Sequence, residues 1–198
     1  KVVQRYRDKV SLWNCAARLS ASSVIRIDEE QRLNLTVRII EQVRRTEPKA
    51  PLIISFDQPW GEQLSQAPLD FTPLYFADAL ARSDLGLSGF GLEYNLGYWP
   101  LGSNARDMLE ISRQLDRWSL FGLPLVIYLT IPSNQTADPH AQSGIRAQHC
   151  LSDEITLESQ NRLVERLIPL LLTKPFVQGI IWNQWDDRQA HKFPHGGL

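Results

Sequence analysis

The chain has 198 residues, of which 43% are hydrophobic and 22% charged, a mixture that excludes disorder as its main state. The 21 Lys and Arg nearly balance the 22 Asp and Glu, and a net charge of −1 gives no field to attract a phosphate backbone or an anionic lipid surface. No apolar run approaches the roughly 18 residues of a membrane span, so we expect neither nucleic acid nor a membrane as a partner.

Hydrophobic periodicity predicts short apolar strands that alternate with amphipathic helices in the first half of the chain. The predicted elements are a helix end at 2–9, a strand at 11–16, a helix at 28–47, a strand at 52–56 and a helix at 73–82. Asp28 and Gln31 have the spacing of a capping box at the start of the second helix. Thr72 and Pro73 are typical of an N-cap and a first helical turn, so they begin the third helix.

The same alternation continues in the second half. Its predicted elements are a strand at 87–92, a helix at 104–121, a strand at 125–130, a helix at 154–172 and a strand at 177–182. Trp118 lies at helical spacing with other apolar residues, which favours a place in the core. Five apolar strands separated by helices predict an α/β fold with a parallel sheet, either doubly wound or a barrel. In both architectures the functional side chains follow the carboxyl ends of the strands.

Those loops are rich in aromatic, amide and carboxyl side chains and poor in cations. Aromatic rings pack against the apolar C–H faces of sugars, and amide or carboxyl groups hydrogen-bond to sugar hydroxyls, so this composition favours a neutral carbohydrate over a nucleotide. The candidate substrate-binding residues are Asp57, Gln58, Trp60, Asn95, Trp99 and Trp182.

Hydrolysis of a glycoside needs two carboxyl groups on either side of the bond that breaks. Glu62 and Glu93 follow neighbouring predicted strands and are the candidate catalytic residues. Two alternatives stay open, a loop anchor at Glu62 and a hydrogen bond to barrel backbone or a neighbouring tyrosine at Glu93. Asp57, Asp186 and Asp187 are further carboxyls, more typical of hydroxyl ligands or helix caps than of proton donors.

Other kinds of site have little support in the sequence. The chain has no dinucleotide, P-loop, serine-hydrolase or zinc-protease motif. His191 and His195 lie four residues apart but in a predicted loop, so we expect no metal site and no cofactor. Cys15 and Cys150 lack metal-ligand spacing and favour buried thiols over a disulfide framework.

Five segments also carry a resemblance to a known family. They are, in chain order, RYRDKVSLWNCAA, PLIISFDQPWGE, LGLSGFGLEYNLGYWP, GLPLVIYLT and VQGIIWNQWDD. Together they resemble strands four to eight of the family 10 glycoside hydrolases, the xylanase TIM barrels, and more closely their divergent relatives in planctomycete-type bacteria. Trp182 matches the family tryptophan that walls the sugar site, and Asn95 lies at or next to a family histidine.

The resemblance implies that residues 1–198 form an incomplete (β/α)8 barrel, since a closed one needs about 250 residues. It also implies hydrolysis of a β-linked, xylan-type saccharide, which would place the protein outside the cell or in the periplasm. The family's two catalytic glutamates are absent, because their positions hold Arg18 and Leu129. Two hypotheses follow, an enzyme whose carboxylates have moved to Glu62 and Glu93, and a catalytically inactive carbohydrate-binding barrel.

Overall fold

The computed structural model describes residues 1–18, 27–65, 71–148 and 154–198. Five parallel strands form one sheet, and two short antiparallel strands form another. The strands are β1 (Trp13–Ala17), β2 (Leu52–Phe56), β3 (Gly89–Asn95), β4 (Tyr98–Trp99), β5 (Leu125–Thr130), β6 (Arg146–Ala147) and β7 (Val177–Trp182). The helices are α1 (Val2–Arg5), α2 (Glu29–Thr46), α3 (Pro73–Arg82), α4 (Met108–Ser119) and α5 (Leu157–Leu172), with a 3₁₀ turn at Glu62–Ser65.

The strand order decides between the two predicted architectures. In the large sheet the order is β1-β2-β3-β5-β7, which is the order of the strands along the chain. A doubly wound sheet reverses its strand order at a switch point, whereas a (β/α)8 barrel adds each strand beside the last. The chain is therefore a partial α/β barrel, as the resemblance implied.

Local capping explains why several predicted boundaries match. Asp28 and Gln31 form the capping box of α2, with the Gln31 amide 2.7 Å from Asp28 Oδ1 and the Asp28 amide 3.2 Å from Gln31 Oε1. Thr72 Oγ1 accepts a hydrogen bond from the Tyr75 amide at 3.1 Å and caps α3, with Pro73 in the first turn. The helix α4 begins later than predicted because Asp107, rather than a residue near Asn104, supplies its cap.

The strand β3 is longer than predicted and includes Glu93 and Asn95, which the sequence placed in a loop. Pairing is the reason, because Glu93 lies opposite Tyr128 and Asn95 opposite Thr130 in the neighbouring strand β5. Both side chains therefore point in directions fixed by the sheet rather than by a loop.

Alternation along the strands separates an apolar outer face from a polar inner face. The outer face packs against the helices, where Trp118 is fully buried with ring centroids 4.9 Å from Phe56 and 5.9 Å from Phe90. This confirms Trp118 as a core residue. The inner face carries small and polar side chains at the matching positions, Ser55, Gly91, Glu93, Asn95, Tyr128 and Thr130.

Gly91 allows an aromatic ring to cross the inner face. A Cβ atom at this position would lie 2.8 Å from Ser55 Cβ and 2.9 Å from Tyr128 Cε2. The Tyr128 ring therefore passes directly over the β3 backbone, and its hydroxyl hydrogen-bonds to Asn14 beyond it. One side chain thus ties β5 to β1 across two intervening strands.

Two further predictions concern thiols and membranes. Cys15 is a half-buried free thiol whose Sγ lies 3.3 Å from the Ile53 carbonyl, and burial raises its pKa to about 11. Cys150 lies outside the described residues. In the described ranges no helix is long and apolar enough to cross a bilayer.

Candidate functional site

A group of polar side chains occupies the inner face at the carboxyl ends of the strands. We call it the inner polar cluster, and its members are Arg18, Asp57, Glu93, Asn95, Tyr128, Thr130 and Lys192. It lies where (β/α)8 barrels carry their active sites.

Glu93 lies at the centre of the inner polar cluster and is only 5% exposed. Arg18 Nε donates to its two carboxyl oxygens at 3.1 and 3.3 Å, and Asn95 Nδ2 donates to Oε2 at 3.1 Å. The Asn95 amide is oriented in turn by Thr130, whose hydroxyl donates to Asn95 Oδ1 at 2.7 Å. Two donors, one of them cationic, therefore fix the orientation of this carboxyl group.

Asp57 is the carboxyl group next to Glu93. It directly follows β2, and since Phe56 is paired with Leu92 of β3, Asp57 and Glu93 occupy the next positions on neighbouring strands. Neighbouring strands lie about 4.8 Å apart. Asp57 is 2% exposed, and burial together with the Glu93 charge raises its pKa to about 6, against the opposing effects of Lys192 and Arg18.

Lys192 reaches the inner polar cluster from the segment that follows β7. Burial and the Arg18 charge lower its pKa, whereas Asp57 and Glu93 act in the opposite direction. The lysine Nζ also lies 4.8 Å from the centroid of the Phe193 ring. Sequence reasoning missed this residue, because the HKFPHGGL segment has no periodicity that would indicate which side chain points inward.

A carboxylate in the loop after β5 holds the Lys192 segment in place. Asp138 Oδ2 lies 2.9 Å from His191 Nε2 and accepts from the His195 amide at 3.0 Å, and Asp138 Oδ1 accepts from the His140 amide at 3.0 Å. Although burial opposes the change, these contacts lower the pKa of Asp138 to about 2. We call this group, Asp138, His140, His191 and His195, the tail anchor.

Both ring nitrogens of His191 lie within hydrogen-bond distance of an acceptor. Nε2 faces the Asp138 carboxylate and Nδ1 lies 2.7 Å from the Gln189 carbonyl. Burial lowers the pKa of His191, but these two acceptors outweigh it and raise the pKa above the ordinary histidine value. Among the described residues no group of three or more His, Cys, Asp or Glu side chains could hold a metal ion.

Glu62 has different neighbours from Glu93. It begins the 3₁₀ turn, and Arg106 Nη2 lies 3.2 Å from its Oε1. The Arg106 guanidinium lies 5.7 Å from the Trp60 ring centroid, and Trp60 packs at 4.8 Å on Tyr94. Tyr94 is fully buried in the helix-facing core. Glu62 and Glu93 thus contact different arginines, and Asp57 is the candidate residue that shares the surroundings of Glu93.

The carboxyl group of Glu62 is largely shielded from water. Burial raises its pKa, and Arg106 acts in the opposite direction. We call this group, Trp60, Glu62, Tyr94 and Arg106, the outer cluster.

Gln58 follows β2 and contacts the loop after β3, next to Trp99. Gln58 is buried, and its Nε2 donates to the Pro100 and Gly102 carbonyls, each at 2.8 Å. Its amide nitrogen therefore fixes the shape of this loop. Trp99 is half-buried in β4, opposite Arg146 of β6.

Trp182 ends β7 and supports the last segment of the chain. Its Nε1 donates to the Gly196 carbonyl at 2.9 Å, and the half-buried ring packs against the main core. Leu129, the position matched to one of the family's glutamates, is fully buried on the helix-facing side of β5. The inward positions of β5 are Tyr128 and Thr130, which alternation along the strand could have indicated.

Comparisons with known proteins support the fold. No family model and no curated protein sequence matches this chain. Xylanase 10B from Thermotoga petrophila, solved with xylobiose, is 16% identical with a TM-score of 0.57, over 93% of this chain and 51% of that protein. An endo-1,4-beta-xylanase from Caldicellulosiruptor owensensis is 14% identical with a TM-score of 0.63, over 95% of this chain and 55% of that protein.

A third similar structure is the β-glucuronidase of Ruminococcus gnavus in complex with D-glucaro-1,5-lactone. It is 14% identical with a TM-score of 0.56, over 95% of this chain and 29% of that protein. The chain spans about half the length of the two xylanases. At these identities the likeness is one of fold, and this chain has the fold of part of a xylanase-like (β/α)8 barrel.

Proposed function

We propose that this chain is part of a glycoside hydrolase-like barrel that binds a β-linked, xylan-type saccharide and hydrolyses its O-glycosidic bonds. The observation that carries the proposal is Glu93, a buried carboxylate oriented by Arg18 and Asn95 at the carboxyl end of a barrel strand. A fixed negative charge at this place can stabilise the positive charge that develops on the sugar ring in the transition state.

The sugar contacts are proposed from the aromatic and polar residues around the inner polar cluster. Trp99 is half-buried and can offer ring surface to a sugar. Trp182 is paired with Leu129 and packs against the main core, so it would act by supporting Gly196. Gln58 and Asn95 are buried and would act by holding the β3 loop and Glu93. Glu62 is the second carboxyl proposed from the sequence. Burial raises its pKa, and Arg106 acts in the opposite direction.

A second candidate function is binding without catalysis. It is favoured by Arg18, which occupies the position of one family glutamate and forms an ion pair with Glu93. In addition, no residue of β5 carries a carboxyl group. Such a barrel would bind the saccharide but would not hydrolyse it.

Assays of hydrolysis and binding with a panel of β-1,4-linked xylo- and gluco-oligosaccharides distinguish the two functions. We expect the wild type to release reducing sugar and Glu93→Gln to lose at least about 100-fold in kcat/KM, since a carboxyl group that takes part in the reaction contributes on this scale. Binding, measured by calorimetry, should change only a few-fold. Glu110→Gln is the control, because Glu110 pairs with Arg117 on α4, away from the inner polar cluster.

Each other outcome has a defined meaning. Binding by the wild type without turnover would favour the inactive barrel. Neither binding nor turnover with any member of the panel would contradict the proposed function.

A further inference from the structure

We infer that Asp57, rather than Glu62, is the proton donor that acts with Glu93 on the glycosidic bond. This inference rests on the proposed hydrolysis. It starts from register, because Asp57 and Glu93 follow the paired residues Phe56 and Leu92 on adjacent strands and both belong to the inner polar cluster. Neighbouring strands lie about 4.8 Å apart, so the two side chains leave the same face of the sheet from adjacent positions, as two carboxyl groups that act on one glycosidic bond require.

The two carboxyl groups have environments suited to opposite roles. Glu93 accepts hydrogen bonds from Arg18 and Asn95, which hold its carboxyl group in one orientation beside a cation. Asp57 is more deeply buried, and the Glu93 charge acts on it directly. A buried carboxyl group with a raised pKa, next to a carboxyl group that is paired with an arginine, has the surroundings of a proton donor beside a nucleophile.

Glu62 lacks this relation to Glu93. Its carboxyl group is held by Arg106, which in turn lies over Trp60, and Trp60 packs on the helix-facing Tyr94. Glu93 and Tyr94 are consecutive residues of one strand, so their side chains point to opposite faces of the sheet. The contacts of Glu62 therefore belong to the outer cluster, and its role is to hold the loop after β2.

The reaction balances with water as the co-reactant. Asp57 gives its proton to the glycosidic oxygen, which departs with the electron pair of the broken bond, while the Glu93 carboxylate attacks the anomeric carbon and forms a glycosyl ester. Water then attacks the same carbon, Asp57 accepts a proton from that water, and the ester bond breaks to restore the Glu93 carboxylate. The product keeps the anomeric configuration of the substrate.

Leaving-group dependence tests the role of Asp57 in the full chain. With Asp57→Asn we expect a loss of about 10²–10⁴ in kcat/KM on phenyl β-xyloside, whose leaving oxygen needs protonation. The loss on 2,4-dinitrophenyl β-xyloside should be much smaller, because that group departs without a proton. Azide should restore turnover of the dinitrophenyl substrate and give β-xylosyl azide. The control is Asp78→Asn, an exposed residue paired with Arg82 on α3.

Glu62→Gln serves as the discriminating variant. A loss that depends on the leaving group in Glu62→Gln, and not in Asp57→Asn, would overturn the inference while leaving the proposed hydrolysis intact. An equal loss on both substrates in Asp57→Asn would also overturn it. A wild type that binds xylo-oligosaccharides and hydrolyses no aryl xyloside would contradict the proposed hydrolysis itself and remove the role of Asp57 with it.

A second measurement needs no hydrolysis. In a carbon-13 NMR titration of side-chain carboxyl groups, we expect Glu93→Gln to lower the pKa of Asp57, because the substitution removes the neighbouring negative charge. Glu62→Gln should leave that pKa in place. An Asp57 pKa that does not respond to Glu93→Gln would show that the two groups do not act as a pair.

Discussion

At the scale of single residues, the ionised form of Asp57 lowers the stability of the folded protein. Its carboxyl group is buried beside Glu93, and burial and that charge raise its pKa from 3.8 to about 6. An acid whose pKa is raised in the folded state binds more protons folded than unfolded between these two values, so folding stability decreases as the pH rises through this range. Groups held in such unfavourable surroundings are concentrated at functional sites.

We therefore expect Asp57→Asn to stabilise the protein at high pH only. The free energy of unfolding should rise by about 3 kcal/mol at pH 8, where the wild type carries a buried charge at this position, and change little at pH 4. Urea unfolding at the two pH values measures the difference, with Asp78→Asn as an exposed control. A gain of equal size at both pH values would contradict the burial of a titrating group.

At the scale of elements, the tail anchor holds Lys192 against the sheet. Asp138 contributes stability above its unfolded pKa of 3.8, and this contribution is lost as the pH falls through about 2. His191 contributes stability fully below 6.5, and this contribution is lost as the pH rises through its raised pKa. The anchor is therefore strongest between about pH 4 and pH 6.5.

Asp138→Asn should loosen the segment at 191–195. We expect a loss of about 1–3 kcal/mol in the free energy of unfolding at pH 5, because the buried hydrogen bonds to a charged acceptor become weaker. Amide hydrogen exchange at His191 and His195 should accelerate, measured by NMR or mass spectrometry. Asp116→Asn removes an exposed ion pair with Lys174 and is the matched control. Unchanged exchange in Asp138→Asn would show that the carboxylate does not hold the segment.

At the scale of the whole molecule, the sequence predicted the elements better than their arrangement. The bounds of β2, β5, β7 and α3 were predictable, because continuous apolar runs and the Thr72–Pro73 cap mark them sharply. The choice between a barrel and a doubly wound sheet was not, since periodicity carries no information on strand order. The resemblance to the xylanase family supplied that choice, and the sequential strand order confirms it.

The candidate site was only partly predictable for a related reason. Asp57, Glu93 and Asn95 were named from their places after apolar runs, but the extent of β3 depends on its pairing with β5 and cannot be read from one strand. Lys192 and Asp138 lie in segments without periodicity, so their contacts depend on the tertiary fold alone. The pairing of Asp57 with Glu93 required the register of β2 on β3.

A crystal structure of the chain soaked with β-1,4-xylotriose tests the central claim most directly, namely that the inner polar cluster is a glycoside site. We predict a sugar ring with oxygen atoms within hydrogen-bond distance, about 2.5–3.2 Å, of the carboxyl groups of both Asp57 and Glu93. A xylotriose bound only at another surface, with the inner polar cluster unchanged at saturating sugar, would contradict the account.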